Sequence, residues 1–359
     1  MNKPNSQFTI GPNKVGNECP TYFIADIAAN HDGDIERAKD LIFLAAEKGA
    51  NAAKFQHFNA NSIVSDYGFK NMGGQKSHQA SWKKSVFEVY KDASVSMDWS
   101  EALKATCDKA NVDFFTSPYS FDLVDHIDSF VSAFKIGSGD ITWTDLINYI
   151  SKKNKPVIIA SGASTTDDVI RSVNTILEFN QDVCLMQCNT NYTASLENFK
   201  YIQLNVLKVY REMYPNIVLG LSDHTPGHTT VLGSVAYGAR VIEKHLTDDT
   251  SRVGPDHAFS MDGNSWEDMV LRTRELEHAL GDGVKKIEKN ELETCIVQRR
   301  SICASKDLEA GQTITNNDLD VLRPCPSDGI PPYEIQKLIN RELKNNLKEG
   351  QHISWKDLK

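Results

Sequence analysis

The stretch Val241–Met261, VIEKHLTDDTSRVGPDHAFSM, decides how the rest of the chain is read. It opens as a short apolar strand, Arg240-Val-Ile, that ends on Glu243 and His245. Alternation of period two points both polar side chains the same way, so one face of a strand end becomes chemical. The loop that follows holds Asp248, Asp249, Arg252, Asp256 and His257, a density of titratable groups that an ordinary connection does not need. About twenty residues upstream a second apolar strand, Ile217-Val-Leu-Gly-Leu, runs into Ser222-Asp223-His224-Thr225. Two histidines delivered from neighbouring strand ends suggest a metal.

Working outward, the same pattern repeats along the chain. Apolar strand-like runs fall at residues 22–27, 52–58, 113–116, 133–136, 157–160, 183–187, 218–221 and 241–245, and segments of helical period lie between them. The segment from Ile35 places apolar residues at Ile35, Ala38, Leu41, Ile42, Ala45 and Ala46, with Asp34 as its N-cap and Gly49 at its C-terminal end. Eight strand–helix units in one run predict a (β/α)8 barrel, whose chemistry sits at the C-terminal ends of its strands. A doubly wound sheet is the structural runner-up, but no G-x-G-x-x-G follows the first strand and no Walker sequence occurs. Asp26, Lys54, Ser117, Lys135, Ser161, Asn189, His224 and His245 each fall at or just past a different predicted strand end. Any one of them alone reads as a solvated or ion-paired group; all eight together read as a site.

Two regions break the rhythm. Residues 59–93 lose periodicity and gather Gly, Ser, Lys and Tyr, which predicts a long loop or lid over one face. Past Leu280 a charged stretch predicts a linker over 283–297, between a barrel over 1–282 and a small mixed domain over 298–359. In that domain AGQTIT and EGQHIS hint at an internal pseudo-repeat. The formal net charge of −9 argues against nucleic acid or an anionic membrane as the main partner. The amino terminus has no apolar signal-like run and nowhere do about 18 apolar residues run together, which predicts a cytoplasmic protein. Seven cysteines without a CxxC pair read as reduced, mostly buried thiols.

The motifs FIADIAANHDGD, AAKFQHF, FFTSPYS, FKIGSGDITW, GLSDHT, VIEKHLTDD and GPDHAFSM resemble, in order, those of the N-acetylneuraminate (sialic acid) synthase family. ICASKDLEAGQTIT with VLRP resembles that family's C-terminal antifreeze-like (SAF) domain. The resemblance spans residues 22–359. It implies a TIM barrel that condenses phosphoenolpyruvate with an N-acylated mannosamine-type sugar to give a nine-carbon acid and phosphate. It also implies a divalent metal, Mn2+ or Mg2+, held by His224 and His245. Lys54 and Lys135 match the lysines that grip phosphoenolpyruvate, with Ser117, Ser138 and Ser161 completing the cradle. Gln56, Asp140, Asn189, Tyr192 and Asp256 match positions around the substrates. Arg323 of VLRP matches an arginine that reaches the sugar's N-acyl group in the partner's active site, which implies a domain-swapped homodimer.

The chain departs from the family pattern at Asp26 and Asp140, where glutamate is usual, and after Tyr192, where proline is. The shorter carboxylate at Asp26, matched to the group that handles the proton, requires a shifted water or backbone. Two variants stay open at this point: a synthase acting on a diacetamido-trideoxyhexose to give a legionaminate or pseudaminate, and a Schiff-base aldolase using Lys54 or Lys135 as nucleophile. A non-catalytic carbohydrate-binding protein is the third alternative.

Overall fold

The computed structural model describes residues 2–359. They form two compact units, one ending at Gly281 and one spanning Asp282–Lys359.

The first unit is built on eight parallel strands: β1 (Tyr22–Asp26), β2 (Ala52–His57), β3 (Asp113–Pro118), β4 (Phe134–Ile136), β5 (Val157–Ala160), β6 (Val183–Cys188), β7 (Val218–Asp223) and β8 (Ala239–His245). Hydrogen-bonded neighbours run β3-β2-β1-β8-β7-β6-β5-β4, so the last strand returns beside the first, with His245 opposite Asp26. The helices are α1 (Ile35–Glu47), α2 (Ser100–Ala110), α3 (Phe121–Asp128), α4 (Thr144–Ser151), α5 (Thr166–Leu177), α6 (Val206–Met213), α7 (Thr229–Ala236) and α8 (Gly263–Leu280). Together they make a nearly closed TIM-like barrel, the fold that the strand–helix rhythm predicts. Asp34 caps α1 as expected, accepting from the Glu36 and Arg37 amides.

Strand alternation sorts the side chains into two cores. Phe23, Phe55, Phe134, Ile159, Leu185 and Ile242 point outward and are buried under the helices. At about 1.5–3 kcal/mol for each large apolar side chain, this layer carries much of the stability. Tyr22, Ile24, Ala52, Phe115, Ile158, Met186 and Val241 point inward and fill the lower barrel. Phe8, Ile10 and Val15, from an antiparallel hairpin of Gln7–Ile10 and Asn13–Gly16, join that inner cluster. The polar residues around them had hidden this hairpin in the sequence. Toward the strand C-termini the inward positions turn polar: Ile24 gives way to Asp26, Ala52 to Lys54 and Gln56, Phe115 to Ser117, and Val241 to Glu243 and His245. Between the last two, Lys244 points outward and makes a buried ion pair with Asp223, Nζ to Oδ2 at 2.5 Å.

Residues 59–93 are not the continuous loop that their composition suggests. They form helices at Ala60–Ile63, Asp66–Asn71 and Val86–Ala93 with a 3-10 turn between. The first two are too short to establish a readable period, and local chemistry starts the third: Ser85 and Glu88 form a reciprocal capping box at Val86.

In the second unit, Leu292–Gln298 is a short helix, so the stretch expected as linker is ordered toward its end. Strands Ser301–Ala304 and Leu319–Leu322 pair antiparallel over a core that includes Ile302, Ile314, Leu338, Leu347 and Ile353. Gln312–Thr315 and 351–354 are not ladders of their own; Thr313 and His352 make only isolated bridges. The pseudo-repeat is nonetheless physical. Gly311 (φ +84) and Gly350 (φ +76) occupy the same left-handed turn, which a β-carbon would strain. Each turn leads to a capping box, Thr315 with Asp318 and Ser354 with Asp357, and Leu308 and Leu347 exchange backbone hydrogen bonds.

Candidate active site

The C-terminal ends of the strands open into a cavity of about 400 Å³. Of the residues singled out in the sequence, Asp26, Lys54, Gln56, Ser117, Lys135, Ser138, Asp140, Tyr192, His224, His245 and Asp256 all line it. They come from β1, β2, β3, β4 and β8 and from the loops after β4, β6, β7 and β8, and a nearly closed ring of parallel strands is what brings them together.

The centre is a chain of charges. Lys54 Nζ lies 2.5 Å from Asp26 Oδ2 and 3.8 Å from Glu243 Oε1, while Lys135 Nζ lies 3.3 Å from the same Glu243 oxygen. Burial acts to strip the Lys54 proton, but Asp26 and Glu243 outweigh it and hold the amine above its ordinary pKa. Asp26 is also committed to Gln56 Nε2 at 3.2 Å and to the Ala28 amide at 3.1 Å. Glu243 was noted in the sequence and given no role. The structure makes it the link between both lysines, and its period-two spacing from His245 was the signal. Its Oε2, the Ser117 hydroxyl and His245 Nδ1 are buried with no protein partner. Three orphaned polar atoms on residues of one cavity wall are what a polar ligand would satisfy.

The two histidines stand with ring centroids 5.4 Å apart. Burial pushes both below the ordinary imidazole pKa, His245 well below it, so both rings are neutral near pH 7. The 3.6 Å approach of His245 Nε2 to Asp26 is therefore not an ion pair. His224 Nδ1 bonds the Asn189 carbonyl oxygen at 3.0 Å, which places the proton on Nδ1 and leaves Nε2 with its lone pair. A neutral, backbone-oriented imidazole beside one with an orphaned nitrogen suits a divalent cation. Among the described residues no group of three or more His, Cys, Asp or Glu converges as a ready-made metal cage. The imidazoles of His224 and His245 are the groups that could hold a divalent cation.

Two further carboxyls face the cavity. Burial pushes Asp140 up to about 6 against the pull of Lys135, and Asp256 up to about 6 although its Oδ2 accepts from the Ala29 amide. Asp256 is held by the charged loop that the sequence made conspicuous. His257 bridges Thr247 and Asp32 at 2.8 and 2.9 Å, Arg252 bonds Asp32, and Arg37 bonds both oxygens of Asp248. These groups tie the loop after β8 to the loop after β1; they are scaffold rather than chemistry.

Two expected residues are not on this wall, and Arg323, expected to act in a partner's site, is in the second unit. Ser161 is off the cavity wall, its hydroxyl bonded to the Met186 carbonyl oxygen and accepting from Tyr210. Asn189 is also off it and acts through its backbone on His224. Arg323 belongs to the second unit, where it is exposed and its Nε donates to the Gln298 carbonyl oxygen. Residues missed entirely are Phe58, Trp82, Tyr90 and Tyr119, which supply an aromatic wall. Three of them sit next to or within the region of weak periodicity, so no pattern marked them.

The sequence model of the NeuB family matches residues 41–285, and that of the SAF domain matches residues 299–359. The chain is 31% identical to N,N'-diacetyllegionaminic acid synthase of Legionella pneumophila, over 96% of each. It is 28% identical to human N-acetylneuraminate-9-phosphate synthase, over 94% of this chain and 93% of that one. The crystal structure of an N-acetylneuraminic acid (sialic acid) synthetase from Leptospira borgpetersenii, in complex with citrate, superposes with a TM-score of 0.70 at 26% identity. That match covers 82% of this chain and 96% of the other. A barrel with paired lysines and histidines at its mouth, followed by an SAF unit, places the chain in the NeuB family of nonulosonic acid synthases.

Proposed function

We propose that the protein condenses phosphoenolpyruvate with the open-chain aldehyde of an N-acyl amino sugar, giving a nine-carbon 3-deoxy-2-ulosonic acid and inorganic phosphate. The observation that carries this reading is the pairing of two buried lysines with orphaned polar atoms in one cavity, beside two neutral histidines. A strongly anionic substrate finds its counter-charge there in a chain of net charge −9.

Lys54 and Lys135 hold the carboxylate and phosphate of phosphoenolpyruvate, with the free Ser117 hydroxyl as a further donor. The acceptor's aldehyde carbon lies toward His224 and His245. Those residues would hold Mn2+ or Mg2+, which supplies Lewis-acid polarisation of the carbonyl when bound. Carbon 3 of phosphoenolpyruvate bonds to the aldehyde carbon, whose oxygen takes up a proton. Water adds at carbon 2, loses a proton to a carboxylate, and phosphate leaves with the C–O bond. Asp140, with a pKa of about 6, is matched to receive that proton. Asp26 orients and charges Lys54, because its oxygens are already committed.

A lysine held protonated is a poor nucleophile, which weighs against Lys54 as the nucleophile of a Schiff-base aldolase. Turnover in H2 18O tests the main reading: label appears in the ulosonic acid and not in the phosphate. Label in the phosphate would mean P–O cleavage and overturn it. His245→Ala abolishes turnover with the fold retained, and chelation reversibly inactivates the parent enzyme. In the same reading Arg323 serves the partner's site in a swapped dimer. Inactive Arg323→Ala and His245→Ala chains regain activity on mixing if it does, and show no recovery after proven subunit exchange if it does not.

A further inference from the structure

The second unit has a cavity of its own, about 660 Å³ in volume, and two cysteines line it. Cys295 lies on the short helix Leu292–Gln298, and Cys325 lies two residues past Arg323, beyond the strand Leu319–Leu322. Both thiols are free and half-buried. Of the other five cysteines, Cys107, Cys184, Cys188 and Cys303 are buried and Cys19 lies in the first unit. No further half-exposed thiol of the second unit competes with the two.

The helix turns Cys295 toward the segment that carries Cys325. Six of its seven residues are exposed, and Cys295 is the exception. Its C-terminal end is fastened to that segment twice. The Cys325 amide donates to the Ile296 carbonyl oxygen at 2.9 Å, and Arg323 Nε donates to the Gln298 carbonyl oxygen at 2.7 Å. Cys325 is therefore backbone-bonded to the residue next to Cys295, and both side chains border one cavity. Disulfide closure needs that kind of neighbourhood. Arg299 and Arg300 line the same cavity, and Arg300 spends one nitrogen on the Val321 carbonyl oxygen at 2.9 Å. Two guanidiniums in its wall attract an anionic reagent.

We propose that Cys295 and Cys325 are a reversible thiol–disulfide pair that controls the placement of Arg323, with a small anionic disulfide such as oxidised glutathione as the oxidant. One cysteine thiolate attacks a sulfur of that disulfide, whose S–S bond breaks, and one glutathione leaves as a thiolate that takes up the proton. The second cysteine thiolate attacks the mixed disulfide, the Cys295–Cys325 bond forms, and the second glutathione leaves in the same way. Two protein thiols are oxidised and one external disulfide is reduced. Closure turns Cys325 Sγ away from the Gly329 carbonyl oxygen, 3.8 Å from it in the reduced form, and toward the helix. Arg323 moves with the segment. The effect on turnover rests on the role proposed for Arg323; formation of the pair does not.

The full chain is treated with oxidised glutathione, alkylated in denaturant and digested without reduction. The peptides of Cys295 and Cys325 are recovered joined, the thiol count falls by two from seven, and dithiothreitol reverses both. Cys295→Ser and Cys325→Ser turn over as the parent does and stop at the mixed disulfide. The kcat/KM of the oxidised parent falls about tenfold or more, because displacing an aligned group by about 1 Å costs up to about 100-fold. Dithiothreitol restores it. Absence of the joined peptide, or a bond to Cys19 or between two chains in its place, overturns the pair. A joined pair with parental turnover, in an enzyme that Arg323→Ala inactivates, overturns the control of Arg323. A fully active Arg323→Ala variant in which the pair still closes sinks the reading of Arg323 and leaves the thiol–disulfide site standing. The peptide readout needs no turnover, so it decides the pair even where the synthase reading fails.

Discussion

The protein contains two buried lysine–aspartate pairs with the same 2.5 Å separation, Lys54–Asp26 and Lys244–Asp223, and they do different things. The outer pair is closed. Asp223 accepts from Thr225 and Thr230 as well as Lys244, and Lys244 donates its second bond to the Thr225 carbonyl oxygen at 2.6 Å. The inner pair is open. Lys54 shares its charge with Glu243, whose second oxygen has no protein partner, and the whole assembly faces a cavity. A saturated ion pair specifies packing, whereas an unsaturated one awaits a ligand. Sequence places Lys244 between Glu243 and His245, and strand alternation alone turns it to the other side.

Substitutions break this comparison in order of expected size. Lys54→Met lowers kcat/KM for phosphoenolpyruvate by roughly 10³- to 10⁴-fold, the loss of a charged contact in a desolvated site. Its melting temperature moves less than that of Lys244→Met, because Asp26 borders a cavity that water can enter. Lys244→Met leaves Asp223 buried and unpaired and destabilises the barrel by about 3–5 kcal/mol, read by denaturant titration. The kcat/KM of the folded variant stays within about threefold of the parent. Adding Asp223→Leu removes the stranded charge and restores at least half of that loss. If Lys244→Met were as inactive as Lys54→Met while fully folded, the distinction between closed and open pairs would fall.

Titration sharpens the contrast, since the two regions respond to pH with opposite sign. Burial opposes ionisation of Asp223, but Lys244 and the threonine hydroxyls prevail and hold it below its ordinary value. Its contribution to stability is present above the unfolded value near 3.8 and is lost as pH falls through the folded value. Asp140 and Asp256 are raised to about 6, so their contribution is complete below 3.8 and declines as pH rises toward 6. Asp140→Asn therefore melts higher than the parent above pH 6 and converges with it near pH 4. In the parent, kcat/KM falls about tenfold per pH unit below 6, and the Asn variant lacks that limb.

How much of the chain was legible depends on the length of each pattern. The barrel showed itself because the strand–helix alternation repeats eight times, and because inward and outward positions alternate without exception in strands such as Tyr22–Asp26. The mixture of short helices in 59–93 did not, since capping by Ser85 and Glu88 is a four-residue event. The N-terminal hairpin was concealed for a similar reason: Phe8, Ile10 and Val15 are three apolar residues in a polar run.

By itself the sequence determined the order of strands and helices, the polar residue at each strand end and the family motifs. These are properties of local period and residue type. Only the tertiary structure decided that Glu243 joins both lysines, that Ser161 and Asn189 stand behind the wall, and that Phe58, Trp82 and Tyr90 form a collar with Tyr192. Those facts depend on ring closure, which sets residues far apart in the chain within a few ångströms of one another. A linear pattern carries the direction in which each side chain leaves its strand; the side chain it meets there is fixed by the curvature of the barrel.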